Sequence, residues 1–278
     1  MSSSGGAPGD SGGLRRVTSP RNTFLKLARA LETKKVRRER RQMVVEGEDL
    51  LRAALDRGVV PVAVLFDETR AGEVADLVAA TRGVPERYSV PSDLMARVSG
   101  MAAHPRVIAV LPQPAQRSFA DVAFPPALGV WLGGVADPGN VGTLVRTAAA
   151  LGADWLATGP GSADPFHPKA VRGAMGSTFA LPLLEGVTMD DLATRTGFRI
   201  IAADPHRGVA PWDCDLASPA VLALGAERHG LEASMASVGD LEVVRVSIPQ
   251  ARGTESLNVA AAGAAIMAEA LRQRGSVA

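Results

Sequence analysis

Leu128-Gly129-Val130-Trp131-Leu132-Gly133, continuing as Gly134-Val135-Ala136-Asp137-Pro138-Gly139-Asn140-Val141-Gly142, reads as a buried strand, a tight glycine-rich loop and the start of a helix. Pro138-Gly139 makes the turn, and Asn140 is placed to cap the helix. On that helix Val141, Leu144, Val145, Ala148 and Leu151 form one apolar stripe, with Arg146 roughly opposite. Working outward, strands recur near 128–133, 154–158, 178–181, 199–203, 220–225 and 241–248. Helices are expected at about 141–151, 168–175, 189–196, 231–238 and 257–272. Strands alternating with helices imply an α/β fold with a mostly parallel sheet covered on both faces. Such sheets bind ligands at the carboxyl ends of their strands, so the loops there are where chemistry is sought.

Upstream, a basic helix over about 21–40 leads to strands at Met43–Val45, Val60–Phe66, Arg87–Val90 and Val107–Leu111. The helices between them span Glu48–Arg57 and Gly72–Thr81, and a further one is opened by Ser92 as N-cap. Residues 15–112 therefore read as a small α/β domain and 128–278 as a second domain. Residues 113–127, holding Pro114, Pro125 and Pro126, read as the linker between them, and the Ser, Gly and Pro-rich 1–14 as a disordered tail.

The 278 residues carry a formal net charge of +1, unevenly spread. Between Arg15 and Arg41 eleven basic residues face two acidic ones, leaving nineteen basic and twenty-seven acidic residues elsewhere. A basic arm on an acidic body is the footprint of a polyanion partner, although a solvated helix face has the same composition. With seven Phe, three Trp and one Tyr, there are too few rings for an aromatic platform that stacks unpaired bases. One cysteine, Cys214, excludes an internal disulfide and a Cys-based zinc site, and fits a cytoplasmic protein. No apolar run reaches the ~18 residues of a membrane span, so no membrane role is expected.

Three strand-end loops stand out. The first, 133–142, has glycines at P-loop spacing but lacks the Lys-Ser/Thr ending, and no G-x-G-x-x-G occurs in the chain, which removes the best support for a nucleotide-binding oxidoreductase. The second reads Gly225-Ala226-Glu227-Arg228-His229-Gly230-Leu231, and an ordinary turn would have the same composition. The third runs Pro249-Gln250-Ala251-Arg252-Gly253-Thr254-Glu255-Ser256-Leu257-Asn258-Val259. Ser256 there is a ready N-cap, and Asn258 in a first helical turn, where its propensity is poor, calls for a reason. The Ala- and Gly-rich helix that follows calls for a close packing partner.

In this order and spacing, D-P-G-N-V-G-x-x-x-R, G-A-E-x-x-G-L and S-I-P-x-x-x-G-x-x-S-L-N resemble the three motifs of the SpoU-type (TrmH) branch of SPOUT RNA methyltransferases, over Leu128 to Arg274. The basic start and Val44-Val45-Glu46-Gly47 resemble the ribosomal-protein-like substrate-binding domain of the same family.

The resemblance implies a C-terminal trefoil knot and methyl transfer from S-adenosylmethionine to a ribose 2′-hydroxyl of structured RNA, without a metal. By the same resemblance Ala203, Gly225, Ile248 and Leu257 hold the cofactor, and Asn140, Arg146, Glu227, Ser256 and Asn258 surround the reacting centre. Arg146 stays protonated and so is expected to clamp a phosphate rather than act as a base. Lys169, Arg172, Arg37, Arg38, Arg40 and Arg41 are the expected RNA contacts. A homodimer packed through Ala260, Ala261, Gly263, Ala264 and Ala265 is implied, with ribosomal RNA of the 23S type favoured over tRNA as substrate. Asp137 replaces a frequent Asn, Gln250 a frequent Met, and Gly173 a frequent Ser. The competing reading is an RNA-binding or assembly factor that keeps the fold without catalysis.

Overall fold

The computed structural model of the chain describes residues 13–99, 104–225, 231, 238–251 and 256–275. Contacts divide the chain into Met1–Gln113 and Pro114–Ala278, each with its own sheet.

In the first unit the strands are β1 (Arg15–Arg16), β2 (Gln42–Glu46), β3 (Ala63–Asp67), β4 (Arg87–Val90) and β5 (Val107–Pro112), ordered β1-β4-β3-β5-β2. β1 and β3 run parallel to β4, whereas β5 runs antiparallel to both β2 and β3. The helices are α1 (Thr23–Ala30), α2 (Lys34–Arg40), α3 (Glu48–Asp56), α4 (Ala75–Ala80) and α5 (Ser92–Val98). Ala63–Phe66 and Val107–Leu111 are buried along their whole length, as unbroken apolar strands must be when both faces are covered.

Two expectations change here. The helix expected over 21–40 is two helices, broken at Leu31–Thr33. The Arg37 guanidinium folds back and donates to the carbonyls of Leu31 and Glu32, both at 2.7 Å, satisfying acceptors that the end of α1 leaves open. Ser92 is the first helical residue after Pro91, and its hydroxyl donates to Asp67 at 2.9 Å instead of capping. Gly47, with φ 102°, turns the chain from β2 into α3, a conformation that favours glycine.

The second unit holds β6 (Leu128–Gly133), α6 (Pro138–Ala150), β7 (Trp155–Thr158), α7 (Pro168–Ala174), β8 (Leu183–Glu185), α8 (Met189–Ala193), β9 (Arg199–Ala203), β10 (Ala220–Gly225), β11 (Val243–Val246) and α9 (Val259–Arg274). Its sheet is ordered β11-β9-β10-β6-β7-β8, and every pairing is parallel. The chain walks from β6 out to β8, returns to β9, and fills the gap beside β6 with β10. The direction of winding therefore reverses between β6 and β10, the point at which open parallel sheets generally bind ligands.

The strand expected at 178–181 is a short 3-10 turn, Ser177–Phe179, and the edge strand begins at Leu183. The helix expected over 231–238 lies outside the described residues except at its two ends. Within 113–127, Phe119 and Phe124 pack edge-on to each other and join Trp155 and Phe198 in the second core. Trp131, 1% exposed, donates its indole N–H to the Val187 carbonyl at 2.9 Å. A Cβ on Gly133 would lie 2.5 Å from that ring, so the glycine at the end of β6 is where the tryptophan fits. Among the described residues no helix is long and apolar enough to cross a membrane.

Candidate active site

Gly133 and Gly225, the last residues of β6 and β10, are register partners, so the first two loops leave the sheet side by side. Past β6, the Ser162 hydroxyl donates to the Leu132 carbonyl at 2.8 Å and accepts from Val135 N–H at 3.2 Å, fixing the loop on its neighbour. Asp137, not Asn140, is the N-cap of α6. Its Oδ1 accepts from the N–H groups of Gly139 at 2.6 Å and Asn140 at 3.1 Å. Its Oδ2 accepts from Lys169 Nζ at 2.7 Å. The Lys169 bond holds the Asp137 carboxyl below the usual carboxylate range; burial opposes it, and the two backbone donors add to the lowering.

With Asp137 as cap, the Asn140 side chain is available for another contact. Asn258 Nδ2 donates to Asn140 Oδ1 at 3.1 Å, joining the first and third loops across 118 residues of sequence. The Asn258 Oδ1 meanwhile accepts from Ala260 N–H at 2.9 Å and Ala261 N–H at 3.3 Å. Asn258 is thus the N-cap of α9 rather than a residue of its first turn, and Ser256 lies outside the helix, exposed. Here a residue type with poor helix propensity sits where the helix wants it.

α9 lies against α6 and β10, because a Cβ on Gly263 would meet Leu144 at 2.6 Å and Leu224 at 2.9 Å. Ala260 and Gly263 are therefore buried within the chain, and of the expected dimer face Ala261 and Ala265 are exposed. On the other side of α6, a Cβ on Gly142 would overlap the Ala170 carbonyl oxygen, and one on Gly173 would stand 3.3 Å from Gly142 Cα. Glycine at positions 142 and 173 thus leaves the room that α6 and α7 need to touch. Arg146 is exposed on α6, Lys169 is exposed and Arg172 half-buried on α7.

On the cofactor side expected from the sequence, Gly225 and Ala203 end their strands half-buried, Ile248 is half-buried past β11, and Leu257 is 39% exposed. The 204–210 loop closes against the exit of β11. Val209 N–H donates to the Arg245 carbonyl at 3.1 Å, Ser247 N–H donates to the Val209 carbonyl at 2.9 Å, and Arg245 pairs with Asp204 at 2.9 Å. Glu227 lies outside the described residues. Leu231, beyond it, is buried in the core and would meet a Cβ on Gly133 at 3.5 Å. Sequence reasoning passed over two features: the Asp137–Lys169 pair, whose signal was an aspartate where asparagine is frequent, and the buried amide oxygen of Gln250, which has no partner among the described residues. No group of three or more metal-ligating side chains occurs among the described residues.

Of the basic residues expected to meet RNA in the first unit, Arg38 and Arg40 are exposed on α2. Arg37 is 1% exposed and spent on the α1–α2 junction, which removes it from the RNA contacts. Arg41 is half-buried and ends α2 in a left-handed conformation, φ 51°, its carbonyl accepting from Gln113 N–H at 2.8 Å.

The fold and site define an α/β protein with a doubly extended parallel sheet and a polar cluster at its strand ends. Residues 127–268 match the model of the SpoU rRNA Methylase family, and residues 22–109 that of the MRM3-like substrate binding domain. The 23S rRNA (uridine(2479)-2′-O)-methyltransferase of Streptomyces viridochromogenes is 31% identical over 94% of this chain and 93% of its own length. The 23S rRNA (guanosine(2553)-2′-O)-methyltransferase RlmP of Bacillus subtilis is 30% identical over 91% of this chain and 98% of its own. The crystal structure of an AdoMet-bound rRNA methyltransferase from Sinorhizobium meliloti superposes with a TM-score of 0.78 at 31% identity, covering 93% of this chain and 98% of that one. The chain belongs to the SpoU rRNA methylase family.

Proposed function

We propose that this protein transfers a methyl group from S-adenosylmethionine to a ribose 2′-hydroxyl of ribosomal RNA. The observation that carries the reading is the Asn258–Asn140 hydrogen bond, which brings the first and third motif loops together beside the end of β10. The relatives named for 23S rRNA 2′-O-methylation, similar along nearly their whole length, favour ribosomal RNA over tRNA.

The residues present fit the cofactor. The buried, unpartnered Gln250 oxygen is an acceptor suited to an amino group such as that of adenine, and the half-buried Ile248 lies two residues before it. Gly225, Ala203, Ile248 and Leu257 would hold it, mainly through backbone. When bound, it supplies an electrophilic methyl on a sulfonium. The protein's part is alignment and removal of one proton. Asn140, Asn258, Glu227 and Ser256 orient the ribose. Arg146 clamps the adjacent phosphate through its guanidinium, and that phosphate or a neighbouring group receives the hydroxyl proton. Lys169, Arg172, Arg38, Arg40 and Arg41 contact further phosphates.

Four finer features belong to the same reading. The C-terminal segment forms a trefoil knot: the chain leaves the sheet at the edge strand β11, held by the 204–210 loop, and returns to pack α9 on β10 and α6. Two copies pair through the exposed small face of α9, Ala261, Ala265 and Ala268. The first unit is a ribosomal-protein-like substrate-binding domain, and the enzyme works in the cytoplasm.

The test is to map 2′-O-methyl sites in total RNA with and without the gene, and to repeat the reaction with purified protein, labelled cofactor and ribosomal RNA. One or a few lost sites in ribosomal RNA are expected. Loss confined to tRNA would replace the substrate, and no loss together with retained RNA binding would make the protein an assembly factor.

A further inference from the structure

Asp137 does two separable things. Oδ1 caps α6, a task an asparagine oxygen performs equally well, and Oδ2 pairs with Lys169 at 2.7 Å, which needs a carboxylate. Both partners are about half exposed, so the pair adds little to folding on its own. Its place is the informative part. Asp137 precedes the turn that presents Asn140, whose side chain is bonded to Asn258, and a Cβ on Gly139 would lie 3.0 Å from Lys169 Cε. The lysine stem therefore lies along the loop that carries the polar cluster, reaching it from α7.

We propose that Asp137 is a positioning residue for methyl transfer, acting through Lys169: the carboxylate pins the ammonium over the α6 entry loop, where it helps set the RNA backbone against Asn140 and Arg146. The inference rests on the methyltransferase reading above. It also explains why a negative charge is tolerated at a surface built to receive a polyanion. Taken as bare charge, Asp137 repels RNA, and its removal should help binding. As a pin, its removal should harm turnover.

The experiment compares Asp137→Asn, Lys169→Met and the double variant in the full-length protein. Measurements are RNA affinity, cofactor affinity by calorimetry, kcat, KM and melting temperature. Asp137→Asn keeps the cap and loses the pin, so kcat should fall roughly fivefold, the scale of a single half-exposed charge contact, with RNA affinity equal or tighter. Cofactor affinity and melting temperature should stay unchanged. The double variant should be no worse than Lys169→Met alone, because two residues acting as one unit are not additive. Lys169→Arg, which can still reach the carboxylate, should retain most activity.

Wild-type kcat in Asp137→Asn would overturn the proposal, as would losses that multiply in the double variant. A lower melting temperature with turnover intact would also overturn it, reducing the pair to a staple between α6 and α7. A wild-type protein with no methyl transfer to any RNA would instead sink the functional reading, which keeps the two failures distinct.

Discussion

The two units use their polar residues in opposite ways. In the first, some charged side chains are turned inward, among them Arg37 on two carbonyls and Asp67, 0% exposed, accepting from Thr69 and Ser92 and facing His104 at 3.1 Å. In the second, Asn140, Asn258, Asp137 and Lys169 meet at the strand ends, half-buried or exposed, while the buried interior is nearly all apolar. A charge buried with its partners specifies a shape. A polar group held near solvent by a rigid sheet is presented for use. Substitution of the inward charges of the first unit should accordingly cost stability, and substitution of the strand-end polar residues of the second should cost turnover.

The largest expected effect tests the second half of that contrast. Arg146→Ala should lower methyl transfer by about 100-fold or more, as loss of a substrate clamp does, with cofactor affinity by calorimetry nearly intact. A fully active variant would take Arg146 out of the mechanism. Next in size is Gly142→Ala, the exception to the contrast because it is a packing change inside the second unit. Its Cβ meets backbone that has nowhere to move, so about 1 to 3 kcal/mol should be lost in denaturant unfolding, with activity falling as α6 shifts.

Within the first unit two arginines three apart should part company. Arg37→Ala leaves two carbonyls unsatisfied at the α1–α2 junction and should cost about 1 to 3 kcal/mol, with little change in the salt dependence of RNA binding. Arg40→Ala should leave stability within about 0.5 kcal/mol and reduce the slope of log K against log salt by about 0.9 if it meets a phosphate. Equal behaviour of the pair in both assays would break the distinction between inward and outward charge.

The smallest effect is one of pH. Burial pushes the Asp67 carboxyl up, but bonds from the Thr69 hydroxyl and N–H and the Ser92 hydroxyl, with His104 beside it, outweigh burial and hold it below the ordinary value. A depressed carboxyl contributes stability that is present above its unfolded value and lost as pH falls through the folded one. The melting temperature of the first unit should therefore decline on acidification below the usual carboxylate range, and Asp67→Asn should flatten that decline. An unchanged acid limb in the variant would show that Asp67 is not its source.

Some of this was legible in the linear chain because the signals are local. Strand and helix periodicity placed β6, α6, β9 and β10 within a few residues, and three ordered loops pointed to a family. What misled was equally local. Asn140 and Ser256 each stood where a cap was wanted, yet Asp137 and Asn258 took those places, and a continuous run of basic residues concealed the break at Leu31–Thr33.

Sequence alone determined the α/β class, the strand-end loops and the residue types that chemistry would use, since backbone propensity and apolar spacing act over a few residues. Only the tertiary structure decided which of two neighbouring polar groups caps a helix and which reaches across 118 residues to another loop, and which arginine is buried. Those choices depend on the competition among hydrogen-bond partners brought together by the sheet, and no stretch of chain carries that competition by itself.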